Sequence, residues 1–306
     1  MPANKLIDFR AATIPHYELD VARPMSDSMK IAGVQCDIKL NDIPANLATL
    51  KRHLDQLADE ELFLLAFPEC FLQGYCYESL EEASAAAIEK DDAALQQVLD
   101  YAKEYDTHIV FGFLERDGET VYNACGLATR QGTLHRYHKV HLPKLGVDQF
   151  TTPGDTFQPV IVDGVSIGLN VCYDCSFPEP ARLLALQDVD LIVLPTNWPP
   201  GAGSTADFIP NARALENNIY YMAVNRIGLE RGFNFIGKSK ICHPDGYDLS
   251  FADHENEAVL IADFDPAVAR KKHLVRVPDK HEIHRFADRR PECYKDISEN
   301  IKTERN

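Results

Sequence analysis

The sequence predicts an α/β fold in which mixed sheets are covered by helices. Amphipathic helices alternate with strands along most of the chain, and hairpins are inserted between them. Several strands are nearly continuous apolar runs, which is typical of strands buried on both faces. No Pro/Gly/Ser-rich or charged linker interrupts the 306 residues, so we expect a single domain.

The first half of the chain contains two predicted helices, three predicted strands and a hairpin. The strands are expected at 30–38, 61–69 and 107–115, and the helices at 46–60 and 93–105. The hairpin combines segments 120–130 and 133–140 around a turn at Gln131-Gly132.

The second half continues the alternation. A second hairpin is expected around Asp163-Gly164, between segments 157–163 and 165–174. It is followed by a helix at 178–187, whose prolines fit the first turn. The remaining predicted elements are a strand at 190–196, a helix at 211–218, and strands at 219–226, 237–246 and 257–265.

The two ends of the chain differ from this pattern. Residues 1–28 show no clear periodicity and are expected to form an N-terminal extension before a domain at 29–270. Residues 271–306 carry many charges and look like a C-terminal tail. This tail is either solvated or an arm at a dimer interface, and we favour the interface.

The composition limits the partners and the compartment. A net charge of −16 argues against nucleic acid or an anionic membrane as the main partner. No apolar run approaches the roughly 18 residues of a membrane span, and the N-terminus lacks a secretory apolar segment. The eight scattered cysteines are then expected to be reduced thiols of a cytoplasmic protein.

Glu69 is the first candidate for chemistry. It follows an apolar strand directly after Pro68, in LLAFPECFLQGY. A carboxylate at the end of a buried strand is costly to ionise, so its pKa should rise towards the range of a general base. The alternative is a glutamate that emerges into solvent beyond the strand.

Lys139 is the second candidate, because a fixed ammonium can stabilise a developing oxyanion. Its segment, RYHKVHLPKLG, also contains His135, His138 and His141. Histidine is a common metal ligand, but on an extended chain this spacing places neighbouring histidines on opposite faces. No HExxH or paired CxxC set accompanies them, so we expect no metal.

Cys172 is the third candidate. It lies where an apolar strand gives way to a turn and then a helix, similar to the strained elbow that exposes a nucleophile. A cation and a helix N-terminus nearby should lower its pKa. A buried core cysteine is the alternative, and a redox pair of Cys172 with Cys175 is disfavoured because no thioredoxin-like unit precedes it.

Together, FPECFLQGY, YHKVHLPKLG and NVCYDCSFPEPARLLAL resemble the glutamate, lysine and cysteine motifs of the nitrilase, or carbon–nitrogen hydrolase, superfamily. The resemblance runs from about Lys30 to Asp265. It implies a four-layer αββα sandwich of two mixed sheets, paired into a homodimer or larger assembly.

The resemblance also implies roles for individual residues. Glu69 would act as general base, Cys172 as nucleophile, and Lys139 with the backbone N–H of Tyr173 would stabilise the oxyanion. The expected reaction is hydrolysis of a small linear amide or N-carbamoyl compound through a thioester, without a cofactor. A nitrilase acting on a C≡N group and a catalytically silent binding protein are the alternatives.

The walls of the site are predicted less directly. Tyr75, Asn197 and Trp198 follow strand ends and could contact the substrate, although Trp198 could equally be structural. Many relatives place a second glutamate between the lysine and the cysteine, but residues 140–171 contain none. We expect Gln149 to line the pocket as a neutral group, with Asp148 as the charged candidate; a loop with both residues in solvent is the alternative.

Overall fold

The computed structural model describes residues 28–253 and 256–299, in which two six-stranded sheets form. Sheet A pairs its members both in parallel and antiparallel, so it is mixed. In spatial order its strands are β14 (Ala258–Phe264), β1 (Met29–Gln35), β2 (Leu62–Ala66), β3 (His108–Asp117), β4 (Thr120–Ala128) and β5 (Leu134–His138).

Sheet B is also mixed, with a parallel centre and antiparallel edges. Its strands, in spatial order, are β13 (Asp248–Phe251), β12 (Lys240–Cys242), β9 (Tyr220–Asn225), β8 (Leu191–Thr196), β7 (Val165–Leu169) and β6 (Val160–Val162). Two separate hairpins consist of β10 (Ile227–Glu230) with β11 (Phe233–Ile236), and β15 (Leu274–Val277) with β16 (His281–Ile283).

The sheets pack face to face and helices cover their outer faces. A Cβ on Gly33 of β1 would lie 2.9 Å from the side chain of Val224 on β9, which shows how closely the sheets approach. The helices are α1 (Ile43–Gln56), α2 (Leu80–Ala86), α3 (Ala93–Glu104), α4 (Pro178–Ala185), α5 (Gly203–Asn217) and α6 (Pro266–Arg270).

The order of the layers follows from the buried side chains. Leu50 of α1 and Val98 of α3 pack with Val34 on the outer face of sheet A. Leu184 of α4 lies against Gly168 of β7 on the outer face of sheet B, where α5 also packs against β9. The predicted four-layer αββα sandwich is therefore confirmed.

Both predicted hairpins form at the predicted turns. Gly132 has a φ of 86°, and Asp163 and Gly164 have φ values of 48° and 79°. The positive φ of both Asp163 and Gly164 is the geometry of the tight turn that joins twisted antiparallel strands.

Several helix boundaries differ from the prediction. Helix α1 begins at Ile43, three residues early, because Asp42 caps it by accepting from the Ala45 N–H at 3.1 Å. Helix α5 begins at Gly203 rather than at 211 and contains Pro210. Glycine and an interior proline weaken the sequence pattern of a helix, so this start was not predicted. Helix α2 was not predicted either.

The ends of the chain are described only in part. The predicted extension 1–28 lies, except for residue 28, outside the described residues. The described part of the predicted tail is not merely extended, since it contains the β15–β16 hairpin. Among residues 28–253 and 256–299, no helix has both the length and the apolar character needed to cross a membrane.

Candidate active site

Glu69 lies just beyond the carboxyl end of β2, with its chain pressed against β3. A Cβ on Gly112 would lie 2.2 Å from the Cys70 nitrogen, so only glycine fits there. The Gly112 N–H donates to the Pro68 carbonyl at 3.1 Å, and the Asn197 amide donates to the Glu69 carbonyl at 2.9 Å. These contacts hold Glu69 in the interior, where its side chain is fully buried.

Lys139 follows β5 and points its ammonium between two carboxylates. Its Nζ donates to Glu69 Oε1 at 2.8 Å and to Asp148 Oδ2 at 2.6 Å. The side chains of all three residues are fully buried. An ammonium has three donors, so one N–H remains beyond these two bonds.

Asn123 completes this cluster and was not predicted. From β4 its Nδ2 donates to Glu69 Oε1 at 2.7 Å and to Asp148 Oδ1 at 2.8 Å. The two carboxylates are therefore joined twice, once by an ammonium and once by an amide. The available signal was a polar side chain in the middle of the apolar strand TVYNACGLA, since a buried amide must find partners.

Asp148, not Gln149, lies in the site. Asp148 is buried and also accepts from the Tyr75 hydroxyl at 2.7 Å. Gln149 is exposed, and its side chain donates to the Gly146 carbonyl at 3.3 Å. Residues 146–149 form a 3₁₀ turn, in which neighbouring side chains point about 120° apart. The expectation that Gln149 lines the pocket is thus wrong, as is the alternative that both residues face solvent.

Cys172 occupies a strained elbow, as its position after a strand predicts. Strand β7 ends at Leu169, Cys172 has a left-handed φ of 42°, and a 3₁₀ turn leads to α4 at Pro178. A left-handed cysteine is costly and persists only where the surroundings enforce it. The side chain is buried.

The pKa of Cys172 differs from the expectation. Burial raises the pKa of the thiol well above its usual value, the charge of Glu69 raises it further, and Lys139 opposes this only in part. The prediction assumed a cation without its counter-charges. Carboxylates hold Lys139 on two sides, so its charge only partly offsets the effect of burial on the pKa of the thiol.

The pKa values of the charged pair also shift. Burial raises the pKa of Glu69, and the charge of Asp148 adds to the rise, while Lys139 opposes both. For Lys139, burial alone would lower the pKa, but Asp148 and Glu69 outweigh it and keep the ammonium charged. The Oε2 atom of Glu69 is buried without a hydrogen-bond partner among the described residues, so it can accept a proton.

The other predicted wall residues lie close by, in different roles. Tyr75 is buried, and its ring lies 5.9 Å from Lys139 Nζ. Asn197 is buried with its Oδ1 unpaired among the described residues. Tyr173 is half-buried, with its ring centroid 5.2 Å from that of Phe177. Trp198 packs into the core, and its backbone N–H donates to Asn225 at 2.9 Å.

The histidines near Lys139 have separate partners. His138 lies 2.9 Å from Glu115, and His141 lies 2.8 Å from Asp174. Within the described ranges, no group of three or more His, Cys, Asp or Glu side chains is arranged to hold a metal ion.

A model of the carbon-nitrogen hydrolase family matches residues 30–273. The chain belongs to this family. It is 33% identical to a nitrilase of Pyrococcus abyssi, over 87% of this chain and 99% of that protein. It is 30% identical to an (R)-stereoselective amidase of a Pseudomonas species, over 82% of this chain and 91% of that one.

Solved structures of the family have the same fold. The amidase of Nesterenkonia AN1, from the nitrilase superfamily, matches with a TM-score of 0.72 and 25% identity, covering 88% of this chain and 97% of that one. The prediction of an amidase-type carbon–nitrogen hydrolase is confirmed by these relatives.

Proposed function

We propose that this hydrolase cleaves a small uncharged amide or N-carbamoyl compound through a thioester on Cys172. The observation that carries the proposal is the buried cluster of Glu69, Lys139 and Asp148 beside the buried thiol of Cys172. Such a site provides a proton acceptor, a fixed cation and a nucleophile as three distinct groups, and none of them is exposed to water.

The reaction begins with transfer of the Cys172 proton to Oε2 of Glu69. The thiolate then attacks the amide carbon, a C–S bond forms, and the negative charge moves to the substrate oxygen. The remaining N–H of Lys139 and the backbone N–H of Tyr173 bind this oxyanion. When the tetrahedral intermediate collapses, the C–N bond breaks and Glu69 returns its proton to the leaving ammonia or amine.

The second half of the reaction releases the acid. Glu69 takes a proton from water, and the resulting hydroxide attacks the thioester carbon. The C–S bond breaks, and the leaving thiolate regains the proton from Glu69. All atoms and charges return to their starting state, and no cofactor takes part.

The charges around the site favour an uncharged substrate. Two carboxylates and one ammonium leave the cluster with an excess negative charge. Lys139 is already shared between Glu69 and Asp148, so it cannot also neutralise a carboxylate next to the bond that is cleaved.

The test is ammonia release from a panel of linear amides, carbamoyl amines and nitriles, each with and without an added carboxylate group. We expect turnover of uncharged amides or carbamoyl compounds and none in the Cys172→Ala variant. Turnover of nitriles alone would favour the second candidate, a nitrilase, which the similarity to the Pyrococcus abyssi protein supports. Ammonia release by Cys172→Ala would refute the mechanism.

We also propose a homodimer, or a larger assembly of dimers, and a cytoplasmic location. Adjacent helices α4 and α5 expose apolar side chains, including Leu183 and Phe208, which are 47% and 68% exposed. The tail packs beside them, with Arg182 of α4 lying 5.3 Å from the Phe286 ring. Light scattering at micromolar concentration should give at least twice the 34.4 kDa chain mass, and a lower mass for Phe208→Asp.

All eight cysteines are free thiols, which suits the reducing compartment of the proposed cytoplasmic location.

A further inference from the structure

Asp174 is a fully buried carboxylate that the proposed mechanism does not use. It lies in the 3₁₀ turn that follows Cys172. Its carboxylate makes four hydrogen-bonding contacts with three residues, which come from two separate segments of the chain. One of these segments carries Lys139 and the other carries Cys172.

On the Lys139 side, Asp174 accepts from residues on both flanks of the lysine. Oδ2 accepts from the Tyr137 hydroxyl at 2.7 Å, and Oδ1 lies 2.8 Å from His141 Nδ1 and 3.1 Å from the His141 backbone nitrogen. Tyr137 and His141 are each two residues from Lys139. The backbone that carries the ammonium is therefore held from both sides by one carboxylate.

On the nucleophile side, Asp174 closes a ring around Cys172. The Val171 N–H donates to Asp174 Oδ2 at 2.9 Å, and the Asp174 N–H donates to the Val171 carbonyl at 3.0 Å. These reciprocal bonds enclose the left-handed cysteine between them. Strained backbone of this kind persists only where its surroundings fix it.

We infer that Asp174 is a positioning residue, which sets the distance and the direction between the Cys172 thiol and the Lys139 ammonium. The inference rests on the proposed function, in which Cys172 attacks the carbonyl carbon of the substrate and Lys139 binds the carbonyl oxygen. A displacement of about 1 Å between reacting groups can lower a rate about 10²-fold. Only a carboxylate suits the position, because each of its two oxygens accepts from a backbone N–H, and an asparagine would turn its own N–H groups towards one of these donors.

The test compares Asp174→Asn with a matched variant, Asp190→Asn. Asp190 is also a buried carboxylate, which accepts from the Ser166 backbone N–H at 3.0 Å and binds Arg270. It lies at the end of β8 that is far from the site. Both variants are expected to lower the melting temperature. Asp174→Asn should also lower kcat about 10–100-fold with KM within threefold, whereas Asp190→Asn should leave kcat within twofold.

Alkylation of Cys172 by iodoacetamide, followed by peptide mass spectrometry, provides a readout that does not depend on identifying the substrate. Its rate should fall at least tenfold in Asp174→Asn and stay within twofold in Asp190→Asn. Equal losses in the two variants, or unchanged alkylation in Asp174→Asn, would overturn the inference. If the wild type hydrolyses no amide but alkylation follows this pattern, the proposed function fails and the positioning role stands.

If Asp174→Asn does not fold, Tyr137→Phe takes its place, because it removes a single hydroxyl donor and keeps the ring. Alkylation of Cys172 should then slow at least threefold. An unchanged rate in a folded Tyr137→Phe protein would overturn the inference.

Discussion

Replacing Asp148 by asparagine should shift the pH dependence of the reaction to lower pH. In the proposed mechanism Glu69 must be deprotonated to act as a base, so activity should be lost as the pH falls through its raised pKa. The charge of Asp148 contributes to that rise, and both carboxylates bond the same Nζ atom. Asp148→Asn keeps the shape and removes the charge, so the pKa of Glu69 should fall.

The size of the shift follows from the geometry. Two carboxylate oxygens that bond one ammonium lie about 5 Å apart, and at an effective dielectric constant of about 20 their repulsion is about 3 kcal/mol. Because this equals about two pKa units and Lys139 compensates part of it, we expect the acid limb to move down by about one unit. Because Lys139 is then held by one carboxylate fewer, the maximal kcat/KM of the pH profile should also fall about 10–100-fold.

The assay is the pH profile of kcat/KM on the best amide, measured from pH 4 to pH 9. Gln149→Ala, one residue away and exposed, is the control and should keep the wild-type profile. An acid limb that stays in place, or moves to higher pH, in Asp148→Asn would refute the argument. A shifted profile in Gln149→Ala would contradict the placement of these two side chains.

Three further predictions test other parts of the site. Lys139→Ala should lower kcat about 10²–10³-fold while the protein still folds, as followed by ammonia release and circular dichroism; activity within threefold of wild type would end the oxyanion role. Inactivation by iodoacetamide should parallel alkylation of Cys172 and not of Cys175, and enzyme that remains active with Cys172 modified would exclude it as nucleophile. Gly112→Ala should lower the free energy of unfolding by about 1–3 kcal/mol, because its Cβ would meet the Cys70 nitrogen at 2.2 Å. Gly203→Ala, which would meet no atom within 4 Å, is the matched control in urea unfolding, and equal losses would contradict this reason.

Residues close together in the sequence were the most predictable. The elbow at Cys172 and the hairpin turn at Asp163-Gly164 follow from patterns a few residues long. The charged and polar partners of Glu69, in contrast, come from distant parts of the sequence. Asn123 lies on β4 and comes to Glu69 only through strand pairing, which a single sequence does not specify. The pKa of Cys172 was expected to fall because the counter-charges of Lys139 were not foreseen.

The choice between Asp148 and Gln149 also depended on information absent from the sequence. Both are polar neighbours in one short turn, and a rotation of about 120° between successive side chains decides which one is buried. The hydroxyl of Tyr75, which comes from 73 residues away, bonds Asp148 and determines the outcome. The sequence analysis placed the neutral Gln149 in the pocket, whereas the site contains the charged Asp148.

The raised pKa of Cys172 affects how the protein reacts with oxidants. Peroxide attacks thiolates, so a cysteine whose pKa is lowered by a permanent cation is vulnerable whenever it is idle. Here burial and the charge of Glu69 raise the pKa of the thiol, which favours the protonated sulfur. We therefore expect hydrogen peroxide to oxidise Cys172 slowly. The exposed Cys293, which lies outside the site, would then be oxidised first.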